Sequence, residues 1–438
     1  MISDNRSNEK FRLKALLFAT IGATLECYDF ALFGFLVPLF SAYFFPSENL
    51  FFSTLYGYTI FAVGYLFRPL GAMLWGHIGD KFGRRTALYS SLHLMGFSTL
   101  LMGLLPTYAQ IGILAPLGLL LARIAQGLSE GGELAGGLLF TLEHASRKRK
   151  GFSGGIFNGI VTSGVLLASL AGYLCSLSHM PVWIWRIPFL LGFCIVLFGL
   201  YIRKHTEETP TFQSIKKEEI PKFPLYQGIK TEYKQFIGMM LITGLPAVAF
   251  HMNFIYLPIY FKQLPGVGEQ LARLSGTLGL FCLILLLPVF GYLSDKFGQA
   301  RLMKQGALVL LVLSLLLFSQ FDTLSAENIF VGQLIFAAGL AMFNGPWCAF
   351  ASEVFDKKHR YSCLGTANTI GGALFGGTAP LIGTSLLNLP HGTLFLGAYL
   401  ALWAILGYLA VHKLQKLQTQ NEVIRLGEDH YEYKPEFT

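Results

Sequence analysis

Charge is scarce in this 438-residue chain: Asp, Glu, Lys and Arg together make up 13% of it, about half the share of an ordinary soluble domain. With 53% apolar residues and a mean hydropathy of +0.53, the chain has too little solvating surface for a cytosolic enzyme or a disordered polymer. Cysteine is equally sparse. The six cysteines (Cys27, Cys175, Cys194, Cys282, Cys348 and Cys363) stand far apart, nearly all inside apolar runs, and no CxxC or zinc spacing occurs. That excludes a small disulfide scaffold and reads them as buried thiols. Signatures of chemistry are missing as well. No GxxxxGK[ST] loop exists to drive a pump with ATP. GEDH at 427–430 and EH at 143–144 are not HExxH, and GxSxG does not occur. The reading is therefore not an enzyme, with no cofactor and no metal.

What the chain has in abundance is long apolar runs. A membrane-crossing helix needs about 20 mainly apolar residues. Twelve segments qualify: 15–43, 53–75, 86–105, 112–141, 152–176, 183–202, 235–262, 268–292, 303–321, 327–350, 363–388 and 391–412. The first is too long for a signal-peptide core and lacks a small-residue cleavage site, so it is read as retained. One long polar stretch, 203–234, separates spans six and seven. The expected fold is an all-α membrane protein of twelve transmembrane helices in two six-helix halves, 1–202 and 235–412, with a linker at 203–234 and a tail at 413–438.

The net charge of +8 is not a nucleic-acid footprint. Of the 33 Lys and Arg, 28 fall at the N-terminus, in loops 2–3, 4–5, 8–9 and 10–11, in the linker and in the tail. Loops 1–2, 3–4, 5–6, 9–10 and 11–12 carry none. Because Lys and Arg accumulate in cytoplasmic loops, both termini are expected in the cytoplasm, and the strict alternation supports twelve spans better than hydropathy does.

The chain repeats itself. GHIGDKFGRR at 76–85 follows span two and GYLSDKFGQAR at 291–301 follows span eight, so GxxxDKFG recurs at an offset of 215 residues. FLVPLF at 35–40 mirrors IYLPIYF at 255–261, and RKRKG at 147–151 stands in the same loop of its half as KKHRYS at 357–362. Internal repeats around a midplane site are the architecture of secondary transporters. In the loop itself, Gly76, Gly79 and Gly83 permit close backbone approach. Asp80 can accept charge-assisted bonds from Arg84 or sit at a helix N-terminus. Such a cluster, with Asp295 as its second copy, suits a latch that holds one conformational state; the plainer reading is that its cations only set topology.

These motifs carry a resemblance. GxxxDKFGRR is similar to the loop signature of the major facilitator superfamily, and the chain resembles its metabolite:proton symporter family, whose members carry proline/betaine, 2-oxoglutarate, citrate or shikimate. The matching segments are ECYDF at 26–30, RPLGAMLWGHIGDKFGRR at 68–85, ARIAQGLSEGGE at 122–133, WRIPFLLG at 185–192, EETPTF at 207–212 and HRYS at 359–362. They run through the whole bundle in order. Cys27, Leu134 and Glu130 depart from that pattern, Glu130 by adding a carboxylate. The resemblance implies a multi-pass inner-membrane symporter working as a monomer on protons and a small metabolite bearing a carboxylate.

Charges inside the spans point the same way. Glu26 and Asp29, three apart in span one, share a helix face. In span four Arg123, Gln126, Glu130 and Glu133 fall within an arc of about 80°. Five ionised groups at mid-bilayer would cost about 12–18 kcal/mol unpaired, comparable with the stability of a whole domain. They must pair, lose charge or face water. Asp29, Glu26, Glu133 and Glu130 are thus candidate proton carriers, since burial raises and a nearby Arg lowers the pKa of a carboxylate. The alternative is a fixed ion pair between spans one and four. Arg123 is the candidate for cargo carboxylate contact through bidentate geometry, with Gln126 and Tyr28 beside it. Arg68 reads as packing or snorkelling, and His93 as a helix-contact histidine. The second half offers His251, Asn253, Asn344, Trp347, Thr366 and Asn368, which suit a ligand wedged between halves or interhelical glue. Two other functions share this fold, a proton-antiporting exporter and a non-transporting sensor.

Overall fold

The computed structural model describes residues 2–177, 179–204, 207–215, 220–256, 269–319, 326–387 and 389–432, and all regular structure among them is helical. In the first half of the chain the long helices are α1 (Ile2–Phe44), α2 (Leu50–Phe82), α3 (Arg84–Leu104), α4 (Leu114–His144), α5 (Lys150–Cys175) and α6 (Arg186–Lys204). In the second they are α7 (Pro224–Phe250), α8 (Glu269–Phe297), α9 (Gln299–Ser319), α10 (Ala326–Ala351), α11 (Arg360–Gly371), α12 (Ala379–Leu387) and α13 (Gly392–Glu432). One π-helical turn, His251–Tyr256, extends α7, and another, Gly372–Gly376, follows α11 on the way to α12 within the eleventh span.

Among the described residues ten helical stretches are long and apolar enough to cross a membrane. The two other expected spans differ for physical reasons. The sixth is a shorter apolar helix, Arg186–Tyr201. The fourth is too charged to qualify by composition, and it is buried instead, packed against α1, α2, α3 and α11. Proline sits inside α1, α2, α7, α8 and α10 (Pro38, Pro69, Pro246, Pro288 and Pro346), which membrane bundles tolerate because neighbours satisfy the freed carbonyls. Pro258, the repeat partner of Pro38, lies outside the described residues. Helices also run beyond the apolar segments. Residues 224–234, read from sequence as linker, form the first turns of α7, and Glu232 takes non-helical φ/ψ where they meet the span.

Small residues let the helices close up. A Cβ on Gly127 would strike the Gly64 carbonyl, and one on Gly131 would strike the Arg68 carbonyl, so α2 and α4 meet backbone to backbone, the small-residue contact of membrane bundles. The two halves of the sequence meet along α2 with α11 and along α5 with α8; the repeat makes these two contacts equivalents of each other. Large apolar side chains such as Leu66, Leu121, Phe198 and Leu381 stay exposed, as a lipid-facing surface requires.

Candidate functional site

Seven charged side chains, Glu26, Asp29, Arg68, Arg123, Glu130, Glu133 and Arg203, are packed inside the first six helices. Three of the four carboxylates among them find a side-chain donor, as burial demands. Glu133 on α4 receives both ends of the Arg203 guanidinium from the end of α6, Nη1 to Oε1 at 2.9 Å and Nη2 to Oε2 at 2.7 Å, with Ser91 on α3 as a further donor. Both side chains are fully buried. Glu130, one turn earlier, takes Nε and Nη2 of Arg68 on α2 at 2.9 and 2.7 Å. Asp29 on α1 accepts the Thr99 hydroxyl from α3, and its second oxygen has no partner. Glu26 is buried within electrostatic reach of Arg68, Glu130 and Glu133, with Oε2 unpartnered.

Arg123 is the exception among the arginines. Its Nη1 donates to Gln126 one turn along α4, while Nε and Nη2 have no hydrogen-bond partner. Three rings, Phe30, Phe33 and Phe61, stand 4.2, 4.6 and 5.0 Å from the guanidinium carbon, giving a desolvated cation–π box. Phe30 is shared with Arg68, whose guanidinium carbon lies 3.9 Å from the ring. Nε and Nη2 form the side-on edge of a guanidinium, the edge that takes both oxygens of a carboxylate. In Arg68 that edge is filled by Glu130; in Arg123 it is open.

The expected cluster therefore forms, with different pairings. Arg123 does not serve the α4 carboxylates; Arg68 and Arg203 do. Arg68 is an ion-pair partner rather than a snorkelling residue, because Glu130 lies a short reach across the tight α2–α4 contact. Tyr28 is placed away from Arg123, its hydroxyl donating to the Pro188 carbonyl of α6 at 3.2 Å. His93 is exposed and bonds only within its own helix, to Tyr89 O at 2.7 Å.

In the second half the candidates are spread over three helices. His251 contacts the Ala247 carbonyl through Nδ1 at 2.7 Å. Asn253 and Gln333 exchange side-chain to backbone bonds at 3.4 and 2.6 Å. The Asn344 carbonyl accepts from Asn158 on α5 at 3.2 Å, across the seam, and Asn368 accepts from Thr243 at 3.1 Å. Trp347 Nε1 and Thr366 Oγ1 are buried without partners.

The GxxxD loops lie at the seam, and acids there cap helix N-termini, whose free N–H groups and positive dipole favour a carboxylate. Asp80 accepts Tyr361 N and Ser362 N, the start of α11, at 3.1 and 2.8 Å, and Arg84 Nη1 at 2.9 Å. Asp295 accepts Gly151 N and Phe152 N, the start of α5, at 2.7 and 2.9 Å. Each half thus supplies the acid for the other half's helix. Gly76 is needed because a Cβ there would lie 2.6 Å from Ser362 Cα. Gly83, at φ +109°, makes the turn from α2 to α3, a conformation that favours glycine.

Three members of this apparatus are given no role by the sequence. Arg203 counts in the sequence as a linker cation. Tyr361 donates its hydroxyl to the Gly132 carbonyl at 2.7 Å, tying α11 to α4. Glu208, in the polar stretch read as linker, accepts Arg84 N at 3.1 Å and Arg85 N at 3.0 Å and so caps α3. Burial pushes the Glu208 carboxyl above its ordinary range, against the opposing pull of those N–H groups and of Arg84.

Known proteins match the chain over most of its length. The family model described as Major Facilitator Superfamily matches residues 19–373 and 240–426. The proline/betaine transporter of Salmonella typhimurium (strain LT2) is 31% identical over 415 residues, covering 90% of this chain and 81% of its own. That of Escherichia coli (strain K12) matches to the same extent. Among solved structures, a proton:xylose symporter bound to 6-bromo-6-deoxy-D-glucose superimposes with a TM-score of 0.77 at 20% identity, over 93% of this chain and 96% of the other. The xylose transporter from E. coli in its inward open conformation gives 0.62 at 18% identity, over 92% and 96%.

Proposed function

The chain belongs to the major facilitator superfamily and is a membrane transporter, not an enzyme, and from that premise we propose that it is a proton-coupled symporter for a small metabolite bearing a carboxylate. The cargo is an organic acid or a zwitterion, the latter class being the one named for its proline/betaine relatives. One observation carries the reading: the open side-on edge of Arg123, buried without a counter-ion among the described residues. A buried cation with two unsatisfied donors is expensive, and a cargo carboxylate would supply the missing partner bidentately. Asp29 sits close enough to Arg123 to feel its charge, so cargo binding and proton binding would share one electrostatic environment. Glu26, Glu130 and Glu133 remain alternative carriers.

The face bearing Asp80 and Asp295 is the cytoplasmic one, with both termini on that side of the inner membrane, as the loop cations argue. The structure then represents the state closed toward the cytoplasm. The two capped seams support that assignment. One chain contains every group this cycle needs, so the working unit is the monomer.

Proteoliposomes with an imposed inward proton gradient test the reading against labelled proline, betaine, 2-oxoglutarate, citrate and shikimate. We expect gradient-driven uptake of one class. Arg123→Lys, which keeps the charge but loses the paired donors, raises its KM about tenfold or more. Absence of uptake throughout, gradient-driven efflux, or an unchanged KM in Arg123→Lys would each contradict it.

A further inference from the structure

Where α4 and α10 end and α5 and α11 begin on the seam face, they border a half-open cavity of about 300 Å³. Arg147, Lys150 and Arg360 line it, with Glu143, Thr211 and Ser352. Three cations face one acid. Part of that charge is engaged: Lys150 Nζ meets Glu353 at 2.7 Å, and Arg360 Nε donates to the Phe355 carbonyl at 3.0 Å. Glu143 is the unusual member. Its side chain is 3% exposed, its nearest cation is Arg84 Nε at 3.8 Å, and neither carboxylate oxygen has a hydrogen-bond partner. A cationic chamber calls for an anion, while a buried carboxylate with no hydrogen bond calls for a donor. An oxyanion that still carries a proton meets both demands.

We propose that this cavity is a binding site for a protonated phosphoryl anion, with Arg147, Lys150 and Arg360 holding its oxygens and Glu143 accepting its O–H. Inorganic phosphate has that chemistry, and so does the phosphomonoester headgroup of phosphatidic acid. Sulfate has the charge but no proton at neutral pH. Because α4 and α5 come from the first half and α10 and α11 from the second, a bound anion bridges the seam beside the Asp80 and Asp295 caps and holds that face closed. The site is independent of cargo and coupling.

Thermal unfolding of the purified chain is compared in phosphate and in sulfate at matched ionic strength. Hydrogen exchange is followed at the amides of Gly151, Phe152, Tyr361 and Ser362. The expected result is a saturable rise in Tm with phosphate alone, accompanied by slower exchange at those amides. Arg147→Gln, on an exposed loop, raises the half-saturating phosphate concentration about tenfold. Glu143→Gln, whose amide can donate, lets sulfate stabilise as well as phosphate. Nanodiscs separate the sources: a phosphate response lost in phosphatidic acid discs and kept in phosphatidylcholine discs assigns the site to lipid, and a response kept in both assigns it to soluble phosphate. Equal stabilisation by sulfate and phosphate in the unaltered chain overturns the proposal, as does a phosphate response that both variants leave unchanged.

Discussion

The two halves of this protein share a repeat but not an interior chemistry. The first buries Glu26, Asp29, Arg123, Glu130, Glu133 and Arg203. The second buries Asn253, Gln333, Trp347 and Thr366. Ionised groups in a low dielectric must be neutralised in every state the protein visits, so each pairing constrains the conformations available. Neutral amides and an indole impose far weaker demands and can exchange partners cheaply. The difference assigns rigid, charge-coupled behaviour to the first half and adaptable contact to the second.

The largest effect should come from splitting the Glu133–Arg203 pair. Either Glu133→Leu or Arg203→Met takes the counter-ion of this pair from a buried charge and is expected to destabilise by about 3–5 kcal/mol. The double variant, with both charges gone, should recover most of that loss. Thermal unfolding of the three purified variants measures it. A double variant as unstable as the singles would show that the pair does not act as a unit.

A smaller effect is expected at the seam, where the comparison runs between the two copies of the GxxxD loop. Asp80→Asn weakens bonds to Tyr361 N, Ser362 N and Arg84, on the order of 1.5–3 kcal/mol for charged hydrogen bonds. Insertion and cargo binding should be normal and turnover slowed. Asp295→Asn should do the same at Gly151 and Phe152 but less severely, since Asp80 has the buried Arg84 in addition. Turnover in proteoliposomes ranks them. Wild-type turnover in Asp80→Asn would leave these loops with a purely topological role.

The smallest effect belongs to the second half. Gln333→Leu removes the side-chain bond to the Asn253 carbonyl, while the bond from Asn253 to the backbone carbonyl of position 333 stays, and should cost about 0.6 kcal/mol, the average for interhelical bonds within a membrane. A loss on the scale of the Glu133–Arg203 pair would erase the contrast between halves.

Much of this was legible in the sequence. Twelve apolar segments, the alternation of cations and the GxxxDKFG repeat all follow from one-dimensional patterns that the bilayer enforces. The shared faces of Glu26 with Asp29 and of Arg123 with Glu130 and Glu133 follow from helical periodicity. Pairing between helices does not. Arg68 and Arg203 lie 62 and 70 residues from their acids, and nothing local distinguishes Arg203 from its neighbour Lys204. Glu208 was hidden differently. It caps α3 from a polar segment far along the chain, and only the repeated use of acids at helix starts reveals its role.

The central claim is that the charged interior of the first half moves protons, and Asp29 is its sharpest test. Asp29→Asn fixes the neutral form of a group whose partner, Thr99, can still bond to an amide. Counterflow exchange and gradient-driven uptake are measured in the same proteoliposomes, with Glu26→Gln in parallel. The account predicts that Asp29→Asn still exchanges cargo, because exchange moves no net proton, and no longer accumulates it. Accumulation against a gradient by both variants would contradict the assignment to α1 and shift the proton to Glu130 or Glu133.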